Sequence, residues 1–296
     1  MNDKTLNIGN ILNQLKKYLK VQNNLQILIY INVVIFIIIG LINLSQYLSN
    51  SSTFKIIDYL AIPANPLLLL KKPWTIITYM FTHENFLHLL FNLLILFTFG
   101  KIFLTYLTNR QLLGVYIMGG ISGAIFFILA YNIIPVFTTI KSNSIAIGAS
   151  ASIIAVVMAI SFLMKNLKVN LFIFGQIKLI YVAIFIIILD LLSIPQGNAG
   201  GHIAHLGGAT FGFLFSSLYT KNIDITKGLL TFFDGVKSIF KPEPKIKVNK
   251  KTSSTNNKKS NPKNENSKKM DEIIEKVKLS GYSSLTEEEK KLFFQK

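Results

Sequence analysis

Six windows of this 296-residue chain are apolar enough to lie in hydrocarbon, and that repetition constrains the fold more than any motif does. They cover residues 27–44, 87–106, 112–133, 149–164, 179–194 and 203–219. A helix needs roughly 20 apolar residues to cross a bilayer. In lipid every backbone amide must be satisfied within its own segment, so even windows rich in Ile and Val are expected as helices. With 51% hydrophobic residues, 15% charged residues and a mean hydropathy of +0.46, the chain is too apolar for a soluble domain. The expected fold class is an all-α, multi-pass membrane protein with a six-transmembrane-helix bundle.

Basic residues set the expected orientation. Lys4, Lys16, Lys17 and Lys20 precede the first window, Lys101 and Arg110 flank the second connection, and Lys165, Lys168 and Lys178 flank the fourth. The alternate connections carry only Lys55, Lys71, Lys72 and Lys141. Both termini are therefore expected in the cytoplasm, and the first window reads as an uncleaved signal anchor. The stretch between the first two windows holds Pro63, Pro66 and Pro73, which forbid a continuous helix. Its leucines, Trp74 and Tyr79 suit a loop lying partly in the outer leaflet.

Residues 1–25 are read as a cytoplasmic amino-terminal segment and 26–220 as the six-helix domain. Residues 221–269 are read as a basic, disordered linker, since 241–269 hold ten lysines against Glu243 and Glu265. Residues 270–296 regain apolar periodicity on both sides of Gly281, and Thr286 and Glu289 have capping-box spacing, so a short helical hairpin is expected. The formal charge of +17 is shared, with 18 basic and 10 acidic residues from Lys221 onward and 13 and 4 before it. Positive-inside topology and anionic lipid near the basic tail account for it, and no nucleic-acid partner is expected. The chain has no cysteine, which excludes disulfides and thiolate chemistry.

Polar side chains inside a span cost a few kcal/mol and are functional suspects. Here they are His88 and Asn92 in the second window, Ser150 and Ser152 opening the fourth, Asp190 late in the fifth, and His202 and His205 opening the sixth. The second, fourth and sixth windows run from outside to inside, so His88, Asn92, Ser150 and His205 are expected at one depth toward the outer face. His88 and Asn92 are four apart and His202 and His205 three apart, so each pair shares a helix face. A serine within reach of a histidine is the minimum for nucleophilic catalysis, and an amide and a second imidazole are suitable oxyanion donors. A lone serine at a helix start is usually a cap; four such residues at one depth carry more weight.

These residues resemble the rhomboid family of intramembrane serine proteases. Three motifs carry the resemblance: His83, His88 and Asn92 as H-x4-H-x3-N; Gly148-Ala149-Ser150 as G-x-S; and residues 204–212 as A-H-x-G-G-x3-G, with His205, Gly208 and Gly212. It spans residues 27–219 and implies a rhomboid-like bundle of the bacterial type in an inner, cytoplasmic membrane, with a carboxyl-terminal cytoplasmic extension. By that resemblance Ser150 is the nucleophile and His205 the base of a dyad without an acid. The Ser150 amide, His88 and Asn92 hold the oxyanion, His83 and Gly148 support the site, and Gly208 and Gly212 bring the fourth and sixth helices together. The implied substrates are transmembrane proteins, with no cofactor and no metal; oligomeric state is open. Where the family often has Trp-Arg this chain has Trp74-Thr75, and where it often has an acidic residue after the oxyanion Asn this chain has Leu104.

Rival readings remain at this stage. The segment HENFLH invites a metal site, but His83 and His88 are five apart and diverge by about 140° on an ideal helix. Asp190 is a candidate third member of a triad, although its place at the end of the fifth window puts it near the outer interface. His202 is a rival base, and the A-H-x-G-G match selects His205. Ser152 lies about 200° round the helix from Ser150 and reads as packing. A noncatalytic rhomboid-like protein that binds transmembrane helices is the alternative function, and a transporter would be expected to show paired half-repeats.

Overall fold

A computed structural model of the chain describes residues 23–50, 55–171 and 175–240, with a few positions between 273 and 289. All six apolar windows are helical: α1 (Asn24–Leu48), α2 (Phe86–Tyr106), α3 (Asn109–Ile133), α4 (Ser150–Leu163), α5 (Leu179–Ser193) and α6 (Ala199–Tyr219). Local chemistry fixes several starts. Asn23 and Asn85 accept from the Gln26 and His88 amides, and Thr108 and Gln111 form a reciprocal capping box at α3.

Among the described residues, four helices are long and apolar enough to cross a membrane: α1, α2, α3, and α5 with its following turn, Leu179–Gln196. The other two differ for a physical reason. Helix α4 has only 14 residues and is buried on every side from Ala151 to Ser161. Helix α6 has 21 residues, with glycine at five positions and histidine at two, so it is long enough but less apolar.

Helix α4 is the axis of the bundle, with α2, α3, α5 and α6 packed against it. A helix that is apolar all round belongs in such a place. Small residues set how closely the neighbours approach. A methyl group on Gly208 would overlap the Ala151 carbonyl oxygen, one on Gly212 the Ala155 carbonyl, and one on Gly119 of α3 the Ala155 side chain. The outer helices show the reverse pattern, leaving Val34, Ile38 and Leu41 of α1, Phe91 and Leu94 of α2, and Phe185 and Leu192 of α5 exposed. Polar and small groups inside with large apolar groups outside is the arrangement a lipid solvent favours.

Between α1 and α2 the prolines divide the chain into short helical turns, Ile57–Leu60, Pro66–Lys71 and Thr75–Thr78, followed by a 3-10 turn, Tyr79–Phe81. Strand β1 (Ile62–Pro63) pairs antiparallel with β2 (Ile145–Ala146), with Ile62 opposite Ala146. The Gly148 amide donates to the Tyr79 carbonyl at 2.9 Å. The Tyr79 hydroxyl in turn donates to the Gly120 carbonyl of α3 at 2.5 Å. The approach to α4 is thus tied on one side to the first loop and through it to α3. Between α4 and α5, strands β3 (Lys168–Leu171) and β4 (Gly175–Lys178) pair antiparallel.

One expectation about the tail needs correction. Helix α7 (Lys227–Phe240) occupies residues placed in the disordered linker 221–269. Its Leu229, Leu230, Phe232, Phe233 and Val236 recur at helical spacing, a pattern that the lysine-rich composition beyond it obscures. Leu230 is buried, Asp234 pairs with Arg110 at the start of α3, and Thr226 packs in the space left by Gly114. Residues 241–269 lie outside the described residues. The chain divides into two units at 241 and 242. In the second, the capping box is formed: the Thr286 amide donates to Glu289 Oε2 at 2.8 Å and the Glu289 amide to Thr286 Oγ1 at 3.3 Å. The remainder of the expected hairpin 270–296 lies outside the described residues.

Candidate active site

The polar groups singled out in separate windows meet at the amino-terminal ends of α4 and α6. Ser150 is the first residue of α4, and the cap position belongs to Ala149, so the serine hydroxyl is not occupied in closing the helix end. Its Oγ lies 2.7 Å from His205 Nε2. That contact spans two helices, and the glycine faces of α6 allow it: Gly208 and Gly212 seat α6 on the backbone of α4, one and two turns beyond His205. Ser152 is fully buried against Gly120 of α3, on the other side of α4 from His205.

Gly148 precedes the helix with φ +121°, in the region that side-chain-bearing residues rarely adopt. A Cβ there would stand 3.0 Å from the His88 ring and 3.6 Å from Ser150 Oγ. The absent side chain therefore leaves a niche bounded by an imidazole and the candidate nucleophile. His88 enters from the first turn of α2, which Asn85 caps through the His88 amide at 2.8 Å. Asn92 is buried one turn further along, and its Nδ2 donates to the His88 carbonyl at 2.8 Å. His83 is buried in the preceding loop with its ring edge-on to His88, centroids 5.1 Å apart. Burial, reinforced by the neighbouring His88, holds the His83 imidazole down at about 4.

Asp190 stands beside His205, so the dyad expected without an acid has a carboxylate as its neighbour. Its side chain is buried, and one carboxylate oxygen lies 2.8 Å from Nδ1 of both His205 and His202. The cause is the short link between α5 and α6. Gly197 (φ 131°) and Asn198 (φ 48°) turn the chain sharply, and α6 starts antiparallel to the end of α5. Asp190 stands three residues before the end of α5, and His202 and His205 stand three and six residues after the start of α6. Counting from that bend, all three fall at a similar depth, and this spacing is the signal in the sequence that would have found the contact. His202 bonds the carboxylate and not the serine, so the structure brings His205, of the two histidines, to Ser150.

Asp190, His202 and His205 are also, among the described residues, a group whose ligand atoms all lie within 4.8 Å of one another, close enough to share a cation. Here both Nδ1 atoms engage the same carboxylate oxygen instead. Thr75 and Leu104, where this chain departs from the family's usual residues, lie away from these groups. Thr75 is buried with its hydroxyl on the Lys72 carbonyl, and Leu104 packs against the apolar core.

Residues 70–222 match the family profile described as the Rhomboid domain. The chain is 28% identical over 144 residues to the Arabidopsis thaliana protein named RHOMBOID-like protein 12, mitochondrial, which covers 46% of this chain and 43% of the relative. It is 28% identical over 158 residues to the Saccharomyces cerevisiae protein named Rhomboid protein 1, mitochondrial, covering 51% of this chain and 43% of the relative. The match therefore spans less than half the length of either relative.

Proposed function

The chain belongs to the rhomboid family, and from that premise we propose that it is an intramembrane serine endopeptidase, hydrolysing peptide bonds in or near transmembrane segments of other membrane proteins. The observation that carries the proposal is the 2.7 Å contact between Ser150 Oγ and His205 Nε2, made across two helices. A serine hydroxyl is a weak nucleophile until a base takes its proton. In this reading Ser150 Oγ attacks the scissile carbonyl carbon as its proton passes to His205 Nε2. The imidazolium then returns that proton to the leaving amine, and the acyl group stays on Ser150. Water attacks the acyl carbon, gives a proton to His205, and releases the carboxylic acid as Ser150 recovers its proton.

The charge that develops on the carbonyl oxygen needs donors in place before reaction. In this reading His88 and the amide of Ser150, the two residues that border the niche at Gly148, supply them. Asn92 joins once its Nδ2 turns from the His88 carbonyl or supplies its second hydrogen. His83 braces the His88 ring from behind.

All six helices α1–α6 are spans in this proposal, with the amino terminus and the tail on the basic, cytoplasmic side and the site toward the opposite face. Helix α4 rises about 21 Å, short of a hydrocarbon core roughly 30 Å thick. Its first residue then sits below the membrane surface, within reach of water that enters through the loops around Gly148. A helical substrate shields its own carbonyls, so the preferred substrates unwind easily near the cut, with Gly, Pro or small polar residues there.

The test is covalent labelling by a serine-reactive fluorophosphonate, run beside cleavage of a reconstituted transmembrane substrate, for wild type, Ser150→Ala and Ser152→Ala. Loss of both signals in Ser150→Ala alone is the expected result. Equal labelling of all three proteins would remove the assignment, and loss in Ser152→Ala alone would move the nucleophile.

A further inference from the structure

We propose that Asp190 is a positioning residue that holds His205 in the tautomer with its proton on Nδ1, so that the dyad works as the near end of a chain Ser150–His205–Asp190–His202. The inference rests on reading Ser150 and His205 as nucleophile and base.

A neutral imidazole carries one N–H, and an ionised carboxylate only accepts hydrogen bonds. With His205 Nδ1 at 2.8 Å from Asp190 Oδ1, that single proton belongs on Nδ1. Nε2 is then a bare lone pair, and it is the atom that faces Ser150 Oγ at 2.7 Å. The serine hydroxyl donates to it, which is the arrangement proton removal requires. Without the carboxylate, the two tautomers of His205 compete, and the one with its proton on Nε2 cannot act as a base.

His202 has the second place in this chain. Its Nδ1 reaches the same Asp190 oxygen, also at 2.8 Å, and its ring stands nearly perpendicular to that of His205. A carboxylate at membrane depth is costly unless its oxygens are satisfied. Here two imidazole N–H groups both bond one of them, Oδ1, and His202 and His205 are the basic side chains paired with Asp190 among the described residues. The kind of partner decides the chemistry. A Lys or Arg would neutralise the carboxylate before any reaction, whereas neutral imidazoles leave its charge in place. When His205 takes the serine proton and becomes an imidazolium, an anion already stands beside it. The stabilisation is thus larger in the transition state than in the ground state, the condition for accelerating a chemical step. Among the described residues, His88 from α2 is the other titratable group whose charge acts on His205.

The experiment measures the rate constant of fluorophosphonate labelling against pH for the full chain in liposomes. Wild type is compared with Asp190→Asn, Asp190→Ala, His202→Leu and Ser150→Ala, with thermal stability as a parallel readout. Asp190→Asn keeps the shape of the side chain, but its amide donates to His205 Nδ1 and selects the wrong tautomer. It is expected to lose about 10²-fold or more in rate near neutral pH. In Asp190→Ala the acid limb of the profile is expected to move about 1 unit or more toward lower pH, because the imidazolium has lost its anion. His202→Leu is expected to slow labelling by less than either, because Asp190 keeps its own contact with His205.

A wild-type rate and acid limb in Asp190→Asn and Asp190→Ala, with Ser150→Ala silent, would overturn this inference and leave the dyad intact. Slower labelling with an unshifted acid limb and lowered thermal stability would also overturn it, since that is what a packing role produces. Labelling abolished by a chelator and restored by zinc would overturn it as well, because a cation on Nδ1 leaves the remaining proton on Nε2. Labelling of Ser150→Ala at the wild-type rate would instead refute the proposed function.

Discussion

The interface between α4 and α6 and the outer face of α1 are built from opposite materials, and the contrast shows where this molecule needs accuracy. At α4–α6, glycines meet backbone carbonyls with no room for a methyl group. On α1, Val34, Ile37, Ile38 and Leu41 stand exposed, and a Cβ on Gly40 would meet nothing within 4 Å. The first surface holds two side chains at hydrogen-bonding distance. The second needs only to be apolar, since lipid makes no demand of shape.

The same substitution should therefore act in opposite ways in the two regions, and this is the sharpest test of the comparison. Gly208→Ala forces α6 off α4; overpacking of this kind costs about 1–3 kcal/mol, and a displacement of about 1 Å between reacting groups costs on the order of 10²-fold in rate. Thermal unfolding and labelling rate should both fall. Gly40→Ala should leave labelling unchanged and shift stability by less than about 1 kcal/mol, in the stabilising direction, because alanine is the better helix former. Equal effects at the two glycines would break the comparison.

A second test separates conformation from packing within the site itself. Gly148→Ala puts a side chain into the niche between His88 and Ser150 at φ +121°. Backbone strain of this kind costs about 1–3 kcal/mol. The labelling rate should fall well beyond any change in unfolding temperature, because the niche is where the oxyanion would sit. A loss of stability without loss of labelling would show that the niche is only a turn.

A third test concerns His83, buried beside the niche. Its folded pKa of about 4 lies below the ordinary histidine value of 6.5, so the unfolded chain takes up its proton first as the solution is acidified. The associated stability is whole above about pH 6.5 and declines as pH falls toward about 4, by at most about 1.4 kcal/mol per pH unit. In His83→Leu that part of the decline should vanish, visible as a flatter dependence of unfolding temperature on pH. An unchanged slope would mean that His83 takes up its proton in the fold as readily as in the unfolded chain.

Much of this was legible along the chain because membrane helices announce themselves locally. The six helical windows, the helix breaks at Pro63, Pro66 and Pro73 and the capping box at Thr286 all follow from residue type and spacing. Three matters were harder to read. Helix α7 was hidden because composition averaged over a lysine-rich tail drowned a short amphipathic repeat. The lengths of α4 and α6 were blurred because hydropathy does not see that α4 is too short, or that glycine takes five positions of α6 for packing. The contact of Asp190 with the two histidines is not visible from its place along its own window and follows from its distance to the bend at Gly197.

The sequence by itself determined that this chain is a bundle of helices in lipid and which few polar side chains it carries there, because each such residue is costly to insert and stands out against its window. Only the tertiary structure decided that Ser150 meets His205 and that one oxygen of Asp190 faces two imidazoles. Those contacts join residues 55, 15 and 12 positions apart. They depend on how closely two helices approach and how sharply one loop turns, and both are set by side chains that are absent: the glycines of α6, and Gly197 at the bend.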